Sequence, residues 1–528
     1  MKKFIIVIVA LFSFLGVQML LADTTPNHFK FINQKNVALS TPIISNTITV
    51  SGIDAAADIS IVGVGGTYSI NGGGYTSSSG TVVNGNTVTL QLMSASSFST
   101  TTIATLTIGG VKGAFSVKTL AKDTKPDKFI FTPQTGVELN TVITSNTIAV
   151  SGINAAAPIS IVGGTYSINS GPYTITPGTV ENGDTVTLQQ TSAGSYNKKT
   201  TATLTIGGVK GAFSVTTLTF TKADLTGTWR LNLLKTGSGW WRAIATVDSS
   251  GKATLSSCLR SDGDPTCGGT AHLSINASGV VTLTGTGDTK NHFTMASNKK
   301  LIAGTSTSDS DYNIMIMQKD TGTTYSAGDV EGQSFVFHQL DIKWRYGTGT
   351  TDATGLITTI TETTPSGTST SAPSTILSVN SGVVTMSDDE SFQGFLADDK
   401  KTIVGTFTHT DTSGSTYCLL IIQITGQTYT SDALVGTWYA HMLNTAPSWV
   451  HFTAAVASDG VTSFSHFVCS GSPCIGPSTT PTSSISSSGT ITLAEDASFH
   501  GQMSDDGKFM VITQTMNGPS YGLSVYTR

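Results

Sequence analysis

Charge is scarce in this chain. Asp, Glu, Lys and Arg make up 12% of 528 residues, and the formal net charge is −5. A nucleic acid or an anionic membrane surface calls for a clustered basic face, so this balance argues against both as partners. Cysteine is scarcer still, at five residues. None follows the first apolar run, which argues against a bacterial lipoprotein anchor. That run, residues 4–17 (FIIVIVALFSFLGV), is also the last segment that could approach a membrane span. No His-x-His or His-x3-His pair is present, so no metal site is predicted. No Gly-x-Ser-x-Gly, Walker loop or dinucleotide fingerprint falls on a suitable strand–helix unit, so no catalytic residue and no cofactor is predicted.

Glycine, by contrast, is abundant at 56 residues, and Ser and Thr are frequent. Val, Ile, Leu, Phe and Tyr recur between them in strand-like alternation, which is the profile of an exported all-β protein with a hydroxyl-rich surface. Residues 1–22 read as an export signal: Lys2 and Lys3, the apolar core, then Ala22 at a plausible cut, with Leu20 an imperfect −3 residue. An uncleaved anchor helix is the alternative. Without those residues the net charge is −7, since they hold two lysines and no acids. The expected location is extracellular or cell-surface, with the periplasm possible.

Cysteine placement agrees with export. Cys258 and Cys267 flank one turn, and Cys469 and Cys474 flank another at the same place in a repeat. Two loop clips at one position predict disulfides Cys258–Cys267 and Cys469–Cys474. Two thiols without a nearby second pair would make a poor zinc cage. Cys418, in Tyr-Cys-Leu-Leu, reads as a core residue.

Repeats organise everything else. Residues 45–53 (SNTITVSGI) return at 145–153 with one change, and ATLTIGGVKGAFSV at 104–117 returns unchanged at 202–215. Two modules follow, 25–121 and 124–219. In the first, strands are expected at 29–31, 47–51, 59–62, 67–70, 87–91, 103–108 and 114–117, with turn signals between them. Such spacing predicts a sandwich, and the absence of a Cys…Trp…Cys core excludes the antibody type. On SNTITVSGI, NGDTVTL and ATLTIGG the modules resemble the tandem Ig-like repeats of bacterial exported and cell-surface proteins. The resemblance implies two Ig-like sandwiches and carries no functional residues. Asp23-Thr-Thr-Pro26 and Asp123-Thr-Lys-Pro126 lead into the modules in the same register, as expected of a semi-rigid stalk.

Residues 224–528 hold three copies of a second repeat of about 104 residues (224–325, 326–430, 431–528). Leu-Thr-Gly-Thr-Trp229 matches Leu-Val-Gly-Thr-Trp438, and each copy closes on an apolar strand. Each contains about eight strands by pattern. Strong hairpin turns at Gly251, Lys299, Gly355, Lys400, Gly460 and Gly507 lie 45–60 residues apart, near the length of a propeller blade. A single six-bladed propeller is therefore favoured, its ring sealed by the opening strand near Trp229. The alternative is three eight-stranded barrels, since Gly436-Thr-Trp-Tyr439 looks like the first strand of avidin- and lipocalin-type barrels.

Candidate ligand-binding residues are Trp240, Trp241, Trp344 and Trp449, with Asn232, His338 and His441 on the preceding strand. Aromatic faces beside hydrogen-bonding groups suit a sugar or flat organic molecule; the bland alternative is that the Trp side chains fill the core. His292, Gln393 and His500 share one repeat position, and His451 and His466 lie in the third copy, where a structural role is expected. The function these features predict is non-enzymatic binding or adhesion to a carbohydrate or surface protein. A secreted hydrolase or lyase on the propeller is one alternative, weakened by the scarcity of Arg and Glu in the repeats. Binding of small hydrophobic ligands by barrels is another.

Overall fold

The computed structural model describes residues 22–528 apart from 288, 309–310, 413, 447, 471–479 and 517–519. The expected export signal lies, but for Ala22, outside the described residues.

Each N-terminal module is a sandwich of a five-stranded and a four-stranded sheet. In the first, Gln34–Val37 pairs in parallel with Val111–Thr119, an arrangement the second repeats with Gln134–Val137 and Val209–Thr217. Period-two alternation puts Val88, Leu90, Leu92, Leu106 and Phe115 into the space between the sheets. The expected strand at 29–31 is not one; Phe31 enters the core from irregular chain. The short edge strands Pro42–Ile44 and Gly80–Val82 were not legible as strands. The repeated Ile-Gly-Gly has a local cause. Gly207 has φ +53°, and a Cβ there would collide with the Thr124 carbonyl of the incoming linker; Gly109 and Thr24 make the same pair.

The C-terminal repeats are not propeller blades. In the first, eight strands from Gly227–Lys235 to Asp311–Asp320 form one closed barrel. A propeller would need the sheet to break after every fourth strand. Here Thr270–Ile275 continues directly into Val280–Thr284, and the last strand returns to the first strand of its own repeat. The other repeats do the same. Ser334–Leu340 pairs with Gly414–Ile424, and Gly436–Asn444 pairs with Tyr521–Thr527. The second repeat makes a nine-stranded sheet and the third an eight-stranded one. Single bridges, Leu356↔Ile376 and Val461↔Thr482, link the two sides of each sheet. The first barrel closes the same seam with three paired residues, Lys252–Thr254 against Thr270–His272.

The barrels pack in a cycle. The first two strands of barrel one lie on Thr402–Asp411 and Gly414–Ile424 of barrel two. The first two strands of barrel two lie on Phe509–Thr515 and Tyr521–Thr527 of barrel three. The first two strands of barrel three lie on Leu301–Ser308 and Asp311–Asp320 of barrel one. The outward faces of these strands carry apolar residues that share one core, with buried polar residues such as Asn232, Arg242, His338 and His441 among them. Leu234, Leu340 and Leu443 occupy one repeat position in it, and Ile316, Ile421 and Val525 another. Burial of this kind stabilises by roughly 25 cal/mol per Å² of apolar surface removed from water.

One end of each barrel is stoppered by the chain entering it. The short helix Lys222–Leu225 sits under the first, where Trp229 Nε1 donates to the Leu225 carbonyl at 2.7 Å. Trp438 Nε1 donates to Leu434 in the third at 2.8 Å. The second sandwich docks at this same end. Glu138 accepts hydrogen bonds from Lys508 Nζ at 2.6 Å and Ser297 Oγ at 2.8 Å, and Tyr196 packs on Phe220. The opposite ends of the barrels therefore point away from the second sandwich.

Candidate functional site

Six of the seven candidate residues meet at the seams between barrels. Trp240, Trp344 and Trp449 are 5%, 2% and 0% exposed, too little to offer a face to a sugar. Each indole Nε1 donates at 2.9 Å to a threonine of the next barrel: Thr408, Thr515 and Thr307. The polar companions also bond across the seams, each through one atom, while Asn232 Oδ1, His338 Nε2 and His441 Nδ1 are buried with no partner among the described residues. Asn232 Nδ2 donates to the Val404 carbonyl at 3.0 Å, His338 Nδ1 shares a hydrogen bond with Thr513 Oγ1 at 3.2 Å, and His441 Nε2 shares one with Thr294 Oγ1 at 2.7 Å. The physical reason is the ring. A strand position that faces outward from one barrel faces inward to the assembly of three.

The seams are completed differently. At the first, Arg242 lies 4.4 Å from the Trp240 ring and reaches the carbonyls of Ser391, Gln393 and Thr406. Burial pulls its guanidinium down to about 10, with Asp389 opposing. At the second, Tyr346 stacks on His500 at 4.8 Å, and His500 packs against Trp344. At the third, His451 stacks between His441 at 4.7 Å and His292 at 5.4 Å. These rings lie face to face, and among the described residues no group of three His, Cys, Asp or Glu is arranged to hold a metal. Burial holds the imidazoles neutral: His338 is pushed down to about 3, with His500 adding, and His451 to about 4, with His292 adding. His441 is held well below its ordinary value by burial and then by His451 and His292.

The seventh residue has a different place. Adjacent residues on a strand point to opposite faces, so Trp241 turns into barrel one while Trp240 turns out, although Trp240 borders the same space. Inside that barrel is a cavity of about 530 Å³, within the range of small-ligand sites. Leu231, Leu273, Leu283 and Met317 line its lower part, above buried Trp229. Its upper wall is polar. Lys235 stands opposite Asn313 in register, and Asn313 opposite Ser306. Arg260 stands opposite Trp241. Among the described residues, two buried polar atoms here have no hydrogen-bond partner: Trp241 Nε1 and Asn313 Oδ1. Such atoms are costly unless something pairs with them. The Cys258–Cys267 disulfide forms as expected and clips the long turn whose Gly268 and Gly269 line the mouth. Cys469 is also disulfide-bonded, and its expected partner Cys474 lies outside the described residues.

The other barrels differ at matching positions. Where barrel one has Ala243 and Met317, barrel three has Phe452 and Tyr526, which pack edge to face at 5.7 Å. Where it has Lys235 and Trp241, barrel two has Asp341 and Arg345, an ion pair at 3.5 Å that Glu362 extends. Trp241 was legible as a candidate in the sequence. Lys235, Arg260 and Asn313 were not, because a polar residue near a strand end reads as ordinary surface.

No known protein family matches the chain, and no curated protein matches it. Solved structures overlap it weakly. The titin domains Z1Z2 in complex with telethonin share 13% identity, covering 37% of this chain and 95% of that one, with a TM-score of 0.23. Invasin, a bacterial integrin-binding protein, shares 9%, covering 81% and 77%, with a TM-score of 0.20. Isotype 1 transferrin binding protein B from serogroup B Neisseria meningitidis shares 9%, covering 72% and 88%, with a TM-score of 0.18. Overlaps this weak carry no argument about function. Among the described residues no helix is long and apolar enough to cross a membrane.

Proposed function

We propose that the chain is an exported, non-enzymatic binding protein. Its two sandwiches form a stalk, its three-barrel head is held at the stalk's end, and the first barrel takes a small ligand into its interior. The observation that carries this reading is the cavity of about 530 Å³, two of whose lining residues, Trp241 and Asn313, each hold a buried polar atom with no partner among the described residues. The same geometry favours a small molecule over a glycan or a surface protein, since the tryptophans that would have stacked on sugar rings are committed between barrels.

The test uses the full chain lacking residues 1–22 and the neutral apolar dye N-phenyl-1-naphthylamine. Dye fluorescence should rise on binding and quench Trp241. Leu255 lines the cavity and is only partly covered, so Leu255→Trp should fill the space and abolish the signal while the far-UV spectrum stays unchanged. Equal dye binding by both proteins would sink the proposal.

A further inference from the structure

We infer that the first barrel is built for an amphipathic anion, an apolar body ending in a carboxylate; this rests on the cavity reading above. The wall of the cavity changes character along its depth. Its lower part offers Leu, Met and Ala surface. Its upper part is lined by Lys235, Trp241 and Asn313, whose side chains carry N–H groups, all on strands of the wall rather than on loops.

The charged residues on the strands of that wall are Lys235 and Arg260. Lys235 has no carboxylate partner among the described residues, and its Nζ donates to Ser308 Oγ at 3.4 Å. Arg260 is held loosely by Asp264 at 3.6 Å. The acid that borders the cavity, Asp262, sits on the exposed turn outside the wall. Trp241 Nε1 can only donate, and among the described residues it has no acceptor. Asn313 Nδ2 donates to Ser306 Oγ at 3.2 Å and Ser308 Oγ at 3.1 Å. Hydroxyls can donate as well as accept, so the amide can turn over and present its N–H groups to the cavity instead. A carboxylate is acceptor-only, and it would pair the indole N–H and the ammonium together. A cationic head group would meet Lys235 directly, and a purely apolar ligand would leave the indole N–H unpaired.

Displacement of N-phenyl-1-naphthylamine by dodecanoate, dodecanol and dodecyltrimethylammonium separates these cases. Dodecanoate should compete best. Lys235→Met should weaken dodecanoate about ten-fold, equivalent to roughly 1.4 kcal/mol, and leave dodecanol within about two-fold. Trp241→Phe, which keeps a ring and removes the donor, should act in the same direction. If dodecanol competes as well as dodecanoate and Lys235→Met changes neither, the anion inference falls while the cavity reading stands. If the dye itself ignores Leu255→Trp, both fall.

Discussion

Trp240, Trp344 and Trp449 hold one position in three repeats, and each spends its indole N–H on a threonine of the neighbouring barrel. Beside them the chain varies: Asn232 at the first seam, His338 at the second, His441 at the third. Those imidazoles are buried and neutral. Their protonation is held below the ordinary histidine value near 6.5, so the unfolded chain binds more protons than the native one once pH drops beneath it. The stabilisation they allow is fully present above that value and is lost as pH falls toward about 4 for His451 and about 3 for His338. Melting temperature should therefore decline over this window. His441→Asn, which copies the first seam, should make that decline shallower in melts followed by circular dichroism; an unaltered acid slope would show that the third seam does not report protonation. The sequence pointed to these residues and their pairing but suggested a ligand role. Alternation tells which side of a strand a residue is on, not whether solvent or another barrel lies there.

Strands and turns were more legible than the sheets they build. Hairpin tips at Gly251, Gly355 and Gly460 have φ values of +91°, +78° and +82°, which is why glycine marks them. What the turn spacing could not reveal was closure, because barrel and propeller use the same hairpins and differ only in which strand the last one meets. Closure makes the mouth of barrel one depend on its longest turn, between Lys252–Arg260 and Thr270–Ile275, which Cys258–Cys267 clips. Replacing both cysteines with serine should cost about 2–3 kcal/mol by the chain-entropy model. Chemical denaturation should show that loss, and dye binding should weaken with it; a variant as stable as the parent would mean that the turn is held by its other contacts.

At the scale of the molecule, the head is a ring rather than a string. Its three parts share one core, so limited proteolysis should leave a single protected fragment over roughly residues 220–528, because local opening within a cooperative unit is rare. Separate fragments near the length of one repeat would mean that the seams are weak. The sequence's threefold repeat was plain, yet nothing in one repeat tells how it meets the next. The cyclic seams also fix how this protein can change over generations. A linear array tolerates the gain or loss of a unit, since each touches only its neighbours. Here every unit supplies a tryptophan to one side and a threonine to the other, around a circuit that closes at three. Removing one copy would leave a tryptophan without its threonine, so a loss of copy number would break the seams while changes inside the barrels would not.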